Sequence, residues 1–302
     1  MINSLLRASR IALATALISA NTVVHVLPLM VVALVKVALR FDRVRSIADV
    51  VLMRIAESWI GFNSWMFDTL TPTRVVVEEM PALDRDGHYL VICNHRSWAD
   101  IPVLQKVFNR RVPLLRFFLK SQLIWVPLLG LAWWALDFPF MKRYSKQMLA
   151  RRPELAGRDV EATRRACRKF ARIPVAVMNF VEGTRFTPAK RDAQSAPYRN
   201  LLKPRAGGVG LVLDAMAEHI DTVLDVTLAY SESKPSIGAL FAGEMREVRM
   251  SVRALPVPDA LRGGRGPDGE RYREVVRAWI NALWADKDER IERMQGRVGQ
   301  SA

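Results

Sequence analysis

The stretch NHRSWAD, residues 94–100, places a histidine and a carboxylate directly after an apolar run. A neutral imidazole beside a carboxylate can act as a general base, because the carboxylate fixes the ring tautomer and stabilises the imidazolium that forms. The residue types therefore predict that His95, oriented by Asp100, removes a proton from a hydroxyl group.

The spacing of this pair restricts where each residue can lie. Two helical residues five apart differ by about 500° around the helix axis, so they do not share a face. His95 must then precede a helix, and Asp100 lies in its first turn, where the helix dipole favours a carboxylate. Ser97 is the predicted N-cap residue and Asp100 the N3 residue of a capping box. One carboxylate can thus serve both the cap and the imidazole.

Two further polar clusters come after apolar, strand-like runs. Lys142 and Arg143 come after the run ALDFPF, and EGTRF at 182–186 comes after IPVAVMNFV. Gly183 permits a tight turn of the backbone, and guanidinium groups such as that of Arg185 bind phosphate in a bidentate manner. Because ligands collect at the carboxyl ends of parallel strands, we expect the three clusters to share one phosphate-binding rim.

The residues that are absent also narrow the chemistry. No Gly-x-Ser-x-Gly nucleophile elbow occurs, so the nucleophile is expected to be a hydroxyl group of the substrate. Cys93 and Cys167 have neither a disulfide framework nor metal-ligand spacing, and we interpret them as reduced core residues. Neither a metal nor a redox cofactor is expected.

Short strand-like runs alternate with helical ones after Pro72, which predicts an α/β fold with a mostly parallel central sheet flanked by helices. Strands are expected at residues 73–77, 89–93, 135–141, 173–181, 222–230 and 247–252. Helices are expected at residues 98–108, 147–172, 209–217 and 271–294, with a polar loop at 190–200.

The N-terminal part is the most apolar. Residues 11–35 contain no Asp, Glu, Lys or Arg, and a helix of that length spans roughly 37 Å, enough to cross a bilayer. Asn21, His25 and Pro28 near its centre leave two interpretations open, a single span and a re-entrant hairpin. Residues 47–70 carry an apolar stripe typical of either a core-facing or an interfacial helix. We predict a membrane-anchoring helical region at residues 1–71 and a catalytic domain at 72–302.

The chain is strongly basic, with 45 Lys and Arg against 30 Asp and Glu and a net charge of +15. Such an excess attracts phosphate, whether in nucleic acid, lipid headgroups or a small substrate. The basic residues from Lys36 to Arg45 predict that the chain from residue 36 onward lies on the cytoplasmic side. A basic membrane-binding protein without enzymatic activity is the alternative class, but it leaves the ordered polar clusters unexplained.

Taken together, these motifs resemble those of a known family. NHRSWAD is similar to the Asn-His-x-x-x-x-Asp signature, and FVEGTRF to the Glu-Gly-Thr-Arg block, of the glycerolipid acyltransferases typified by 1-acylglycerol-3-phosphate (lysophosphatidic acid) acyltransferases. The two lie in the family's order, about ninety residues apart. FPFMKR resembles the second block, and LLKPRAGG with LDVTLAY the fourth, so the resemblance covers residues 85–235.

The resemblance implies a role for each matching residue. His95 would remove the proton from the sn-2 hydroxyl of a lysophospholipid, while Asp100 orients and charges the imidazole. Arg185 and Arg143 resemble glycerophosphate-binding positions, and Lys142 is the alternative to Arg143 because the second block departs from the usual pattern.

The remaining matched residues have less defined roles. Glu182, Gly183 and Thr184 belong to the same block as Arg185 and shape the site. Lys203 and Arg205 are weaker candidates for contact with phosphate or with a coenzyme.

The implied reaction transfers a fatty acyl group from acyl-CoA or acyl carrier protein to lysophosphatidic acid, giving phosphatidic acid. Another lysophospholipid, such as lysocardiolipin, stays open as the acceptor. The expected partners are these substrates, membrane lipid and acyl carrier protein as a donor, with no nucleic acid. The expected location is a bacterial inner membrane, with the catalytic domain facing the cytoplasm.

Overall fold

A six-stranded sheet forms the centre of the computed structural model, which describes residues 2–39, 41–141, 151–152, 161, 163–165, 167, 173–232, 234–264 and 269–297. The strands of this sheet are β1 (Arg74–Glu79), β2 (His88–Cys93), β3 (Leu115–Phe117), β6 (Val175–Phe180), β7 (Thr222–Tyr230) and β8 (Glu247–Pro256). Two short strands, β4 (Leu119–Lys120) and β5 (Phe140–Met141), pair in a separate sheet.

The strand order in the main sheet is β1-β8-β7-β2-β6-β3. Every pair of neighbours is parallel except β7 and β8, which run antiparallel. The carboxyl ends of β2, β6 and β7 therefore lie side by side at one edge of the sheet. The predicted α/β fold with a mostly parallel sheet is confirmed.

Helices cover both faces of the sheet. They are α1 (Ile2–Ala38), α2 (Asp42–Leu70), α3 (Asp100–Phe108), α4 (Leu129–Ala135), α5 (Pro188–Ala193), α6 (Ala206–Ala215), α7 (Ile237–Ala242) and α8 (Gly269–Arg297). Successive residues of β2 point to opposite faces, so Leu90 and Ile92 pack with α6 and α8. Tyr89, Val91 and Cys93 pack on the other face with α3 and α7.

Two of the predicted segments differ from the structure. The run 135–141 is not one strand, because Ala135 ends α4, Asp137 adopts a left-handed conformation with φ of 58°, and only β5 is extended. The predicted loop 190–200 begins inside α5, which Thr187 caps by accepting a hydrogen bond from the Lys190 amide. Most of the predicted helix 147–172 lies outside the described residues.

The long apolar segment forms one continuous helix, α1, which runs through Pro28. A re-entrant hairpin within residues 11–35 is therefore wrong; the hairpin is instead made by α1 and α2 together. The polar residues of α1 face α2. The Asn21 amide donates to Asn63 Oδ1 (2.9 Å), and His25 Nε2 lies 3.1 Å from Ser58 Oγ. These contacts explain why polar groups interrupt an otherwise apolar run.

Helix α1 also contacts the sheet-containing part of the protein near both of its ends. Arg7 pairs with Glu244 (2.9 Å), just after α7, and Lys36 pairs with Asp137 (3.1 Å), just after α4. A third contact joins Lys36 to Asp49 of α2. The helix therefore lies along the surface of the α/β unit instead of projecting from it.

The C-terminal helix α8 is attached to the sheet through a buried charge cluster. Lys287 is fully buried and its ammonium lies 2.5 Å from Asp225 Oδ1 in β7. The second carboxylate oxygen of Asp225 pairs with Arg253 of β8 (2.6 Å). Burial acts to raise the pKa of Asp225, but the two cations outweigh it and hold that pKa below its usual range.

We expect the variant Lys287→Met to lose roughly 3–5 kcal/mol of unfolding free energy, because it leaves Asp225 buried with half of its charge partners. Urea denaturation in detergent micelles, followed by tryptophan fluorescence, measures this loss. The matched control is Lys106→Met, whose ion pair with Asp68 is solvent-exposed and should be worth about 1 kcal/mol or less. Equal small losses of unfolding free energy in both variants would show that the buried Lys287–Asp225 pair does not stabilise the attachment of α8 to the sheet.

Candidate active site

His95 and Asp100 form a direct hydrogen bond at the carboxyl edge of the sheet. The Nδ1 atom of His95 lies 2.7 Å from Asp100 Oδ2. A carboxylate only accepts hydrogen bonds, so Nδ1 carries the proton and Nε2 presents its lone pair. The pair thus has the tautomer and orientation that a general base requires.

Asp100 is completely buried, and each of its oxygens accepts hydrogen bonds. Besides the imidazole, Oδ2 accepts the amide protons of Arg96 (2.8 Å) and Ser97 (3.1 Å). The hydroxyl of Tyr230, the last residue of β7, donates to Oδ1. Four donors therefore stabilise the ionised carboxylate away from water, as buried charges require.

The imidazole of His95 is held from its face as well as from its edge. Its ring stacks on Phe180 at the end of β6, with 4.0 Å between ring centroids and 15° between planes. The side chain retains 13% exposure, and no hydrogen bond from a described residue occupies Nε2. The ring is fixed in place while its basic nitrogen stays accessible.

The capping arrangement differs from the sequence prediction. Helix α3 begins at Asp100 itself and its N-cap residue is Ala99, so Ser97 is not the N-cap. Ser97 instead accepts the Ala99 amide proton at its Oγ (3.1 Å) within the preceding turn. Asp100 still reaches back to the Ser97 amide, because the turn ahead of the helix brings those donors to the carboxylate.

Glu182 joins the turn after β6 to the loop after β2. Its Oε1 accepts the backbone amide of His95 (2.9 Å), and its Oε2 accepts that of Leu202 (2.9 Å). The residue is fully buried, and this burial raises its pKa to about 7, although the two backbone hydrogen bonds act in the opposite direction. Glu182 therefore holds the backbone of His95 in place, and its carboxyl group is buried against two backbone amides.

Gly183 makes the next turn of the chain. Its φ of 68° lies in the left-handed region, which favours glycine. A Cβ at this position would also lie 3.1 Å from Cδ of Arg205. The turn consequently brings the start of α6 next to the residues that surround His95.

Arg185 lies at the same edge and is exposed. Its guanidinium packs over the ring of Trp98, 5.1 Å from the ring centroid, which joins the first and third clusters. Lys190 supports the backbone of this segment, because its ammonium donates to Thr184 Oγ1 and to the Arg185 carbonyl, both at 2.9 Å. Arg185 is thus available for an anion, whereas Thr184 is engaged internally.

Asn94 has a structural task. Its side chain donates to the Leu228 carbonyl and accepts the Leu228 amide proton, both at 2.9 Å, and it is fully buried. This pair extends the backbone pairing of β2 and β7 by one step beyond the last paired residues. It fixes β7, and with it Tyr230, beside His95 and Asp100.

The structure brings together two of the three predicted clusters. His95 and Asp100 meet Glu182, Gly183, Thr184 and Arg185 at one edge. Lys142 and Arg143 lie outside the described residues. Lys203 and Arg205 are exposed and precede α6, with Arg205 beside Gly183.

Sequence reasoning missed Tyr230 and Phe180, which contact Asp100 and His95. Both end strands that the sequence did predict, at 222–230 and 173–181. An aromatic residue at the carboxyl end of a strand was therefore the available signal. What it could not show was that β6 and β7 flank β2 on either side.

Comparison with known proteins agrees with this arrangement. The Acyltransferase family model matches residues 74–231, just over half of the chain. The chain is 24% identical over 247 residues to 1-acyl-sn-glycerol-3-phosphate acyltransferase 3 of Arabidopsis thaliana, covering 76% of this chain and 60% of that protein. It is 26% identical over 214 residues to 1-acyl-sn-glycerol-3-phosphate acyltransferase gamma of Mus musculus, covering 67% of this chain and 52% of that protein. The chain thus spans only about half to three fifths of the length of these relatives.

A solved structure shares the fold. The crystal structure of the 1-acyl-sn-glycerophosphate (LPA) acyltransferase PlsC from Thermotoga maritima superimposes with a TM-score of 0.52 at 18% identity. The match covers 92% of this chain and 98% of that one. The similarity therefore extends beyond the region that the family model matches and includes most of the N-terminal helices.

The raised pKa of Glu182 predicts a pH dependence of stability. Its ordinary value is 4.5 and its value in the folded protein about 7, so the folded state binds more protons than the unfolded state between these values. This carboxyl group therefore favours folding at pH 4.5 and loses that contribution as the pH rises to 7. We expect Glu182→Gln to remove this decline.

Denaturation of the wild type and of Glu182→Gln at pH 5 and at pH 7 gives the change in unfolding free energy between the two pH values for each protein. The difference between these two changes is the contribution of Glu182. The control is Glu292→Gln, whose surface pair with Arg199 leaves its side chain 43% exposed, and which should keep the wild-type slope. The same slope in all three proteins would show that Glu182 titrates near its ordinary value.

Proposed function

The chain belongs to the acyltransferase family, and on that premise we propose that it transfers a fatty acyl group from a thioester donor to the sn-2 hydroxyl of lysophosphatidic acid. The observation that carries the proposal is the His95–Asp100 hydrogen bond of 2.7 Å, with Nε2 of the imidazole accessible at the sheet edge. The names of the curated relatives support the choice of acceptor. The products are phosphatidic acid and a free thiol.

In the proposed reaction, Nε2 of His95 takes the proton of the acceptor hydroxyl as its oxygen attacks the thioester carbonyl. The imidazolium that forms is stabilised by Asp100, whose charge is held in place by its four donors. The tetrahedral intermediate collapses with cleavage of the carbon–sulfur bond, and the leaving thiolate receives the proton from His95. The base is thereby restored without any metal or redox step.

Arg185 is the proposed ligand for the acceptor phosphate. It is exposed at the same edge as His95, and its guanidinium carbon lies 5.1 Å from the centroid of the Trp98 ring. An arginine oriented by an aromatic ring is well suited to bidentate contact with phosphate. Arg143, with Lys142 as its alternative, remains a prediction for the same role.

The N-terminal helices provide the membrane contact. Helix α1 is long and apolar enough to cross a bilayer, and its outward face exposes Leu5, Leu13, Val24, Leu27, Val31 and Leu34. Trp125 and Trp134 add exposed aromatic rings in and near α4, which packs against α1. Tryptophan is enriched at membrane interfaces, so this face is suited to lipid.

We propose that α1 lies within one leaflet and does not span the membrane. Its two ends contact the same α/β unit through Arg7 and Lys36, and a unit on one side of a bilayer cannot hold both ends of a spanning helix. Residues 1–71 then form the anchor and 72–302 the catalytic domain. The proposed location is the cytoplasmic face of a bacterial inner membrane, where acyl-CoA and acyl carrier protein are both accessible.

The proposed reaction is tested by following thiol release from oleoyl-CoA with lysophosphatidic acid as acceptor, using purified protein in detergent. We expect His95→Ala to lose about 100-fold or more in turnover, because a positioned general base contributes roughly that factor. His219→Ala is the control, since the His219 ring makes a tilted contact with His88, which begins β2 at the end opposite the catalytic edge. Wild-type turnover by a folded His95→Ala protein would remove His95 from the mechanism.

The placement of α1 is tested with the single-cysteine additions Ser9→Cys, near the start of α1, and Ser46→Cys, near the start of α2 and eight residues beyond the end of α1. Both native cysteines are buried, so a membrane-impermeant maleimide should label only the new thiols. We expect both positions to be labelled from the same side of sealed vesicles. Labelling from opposite sides would show that α1 spans the bilayer.

A further inference from the structure

A cleft of about 750 Å³ lies on the sheet face covered by α6 and α8. This volume is within the range of pockets that hold small ligands and cofactors. Its walls come from the segment before α6, from α6 itself and from the first half of α8. The family model ends at residue 231, so the α8 wall belongs to a part of the chain that the family match does not include.

Close packing fixes the two helical walls against each other. Gly210 of α6 has no side chain, and a Cβ there would lie 3.4 Å from Val276 of α8. The hydroxyl of Tyr272 donates to the Gly210 carbonyl (3.2 Å). The cleft is therefore preformed, because α6 and α8 are held in contact with each other.

The lining is strongly cationic. Five basic residues face a single carboxylate, Asp214, and that carboxylate is already paired with Arg164 (3.0 Å). The four other basic residues are exposed and make no ion pair with any described residue; they are Lys203, Arg205, Arg273 and Arg277. Gathering unpaired like charges is unfavourable unless a ligand neutralises them, so the cleft is suited to an anion with several charges.

Apolar groups lie between these cations. Tyr198 is half-buried in the wall, and Leu211 and Val276 form apolar surface beside it. Open space stands over Gly207 in the first turn of α6, so a ligand can approach the backbone there. An aromatic ring and apolar side chains among exposed cations suit a nucleotide, because its base can pack on a ring and its phosphates can bind guanidinium groups.

The cleft begins close to the catalytic edge. Arg205 lines it and also lies against Gly183, and the Arg205 amide donates to the Val181 carbonyl (2.8 Å). Leu202, three residues earlier, is held by Glu182, which also holds the backbone of His95. A ligand in the cleft is thus joined to the catalytic residues by a short, hydrogen-bonded segment.

The cleft faces away from the membrane-contacting helices. Helix α1 packs against α2, α4 and α7, and α2 packs against α3, so these elements occupy the other face of the sheet. A ligand of the cleft therefore arrives from water and not from the lipid. This position argues against a lipid headgroup as the occupant.

We propose that this cleft binds the nucleotide end of a coenzyme A thioester, with Lys203, Arg205, Arg273 and Arg277 contacting its phosphates and Tyr198 its adenine. The inference rests on the proposed acyl transfer and specifies its donor. An acyl carrier protein is the alternative donor, and it carries no adenine or 3′-phosphate for such a cleft to recognise.

The test is the double variant Arg273→Ala/Arg277→Ala of the full chain in detergent micelles. We expect its affinity for coenzyme A, measured by isothermal titration calorimetry, to fall about tenfold or more, since charge-assisted contacts to phosphate are lost. The KM for oleoyl-CoA should rise by a similar factor. The KM for the oleoyl thioester of N-acetylcysteamine, which has no nucleotide, should not change.

The matched control is Arg293→Ala/Arg297→Ala, which removes two arginines at the same spacing on the same helix. Their only ion pairs in the described structure are with Glu289 and Glu78, and the two arginine side chains are 54% and 62% exposed. This control should bind coenzyme A as the wild type does. In the wild type and in this control, adenosine 3′,5′-bisphosphate should compete with coenzyme A for the cleft.

Three results would overturn the proposal. One is equal affinity for coenzyme A in wild type and Arg273→Ala/Arg277→Ala. Another is competition by glycerol 3-phosphate but not by adenosine 3′,5′-bisphosphate, which would indicate a lipid-headgroup site. The third is a defect confined to acyl carrier protein donors. If the wild type binds coenzyme A but acylates no lysophospholipid, the proposed function fails, while the calorimetric comparison still decides the cleft.

Discussion

The buried carboxylate of Asp100 is the constraint on which the site depends. An ionised group without solvent must be surrounded by donors, and here those donors come from the loop after β2, from the imidazole and from the end of β7. Satisfying one carboxylate therefore fixes the path of the loop, the tautomer of His95 and the position of Tyr230 at the same time. The helix start at Asp100 results from the same turn.

A second buried carboxylate extends this network in the other direction. Glu182 accepts one amide proton from His95 and one from Leu202, so it connects His95 to the segment that leads into α6. It has fewer donors than Asp100, and burial raises its pKa to about 7. The two carboxylates thus differ in role: one holds a charge beside the imidazole, and the other holds two pieces of backbone together.

The parts of this arrangement that are local in sequence could be predicted. His95 and Asp100 are five residues apart, so helix geometry alone placed His95 before the helix and Asp100 in its first turn. The uninterrupted apolar run at β2 identified the strand before them. Tyr230 lies 130 residues from Asp100, and its contact depends on β7 being the neighbour of β2, which periodicity does not specify.

The incorrect strand at 135–141 has the same origin. The apolar run at 135–141 is compatible with a strand or a helix end, and only packing against α1 decides between them. The cleft between α6 and α8 likewise depends on a tertiary contact, that of Gly210 with Val276. Lys203 and Arg205 could therefore be selected by resemblance, but their Arg273 and Arg277 neighbours could not.

The carboxyl edge of the sheet lies between two different surfaces of the protein. Helices α1, α2 and α4 expose an apolar face on one side of the sheet, and the cationic cleft opens on the other. A lipid acceptor and a water-soluble donor would approach from these opposite sides. The carboxyl ends of β2, β6 and β7 are accessible from both, because an edge borders both faces. In the proposed acyl transfer, a base that acts between these two sides has to lie at this edge, and the hydrogen bonds of Asp100 and Glu182 hold His95 there.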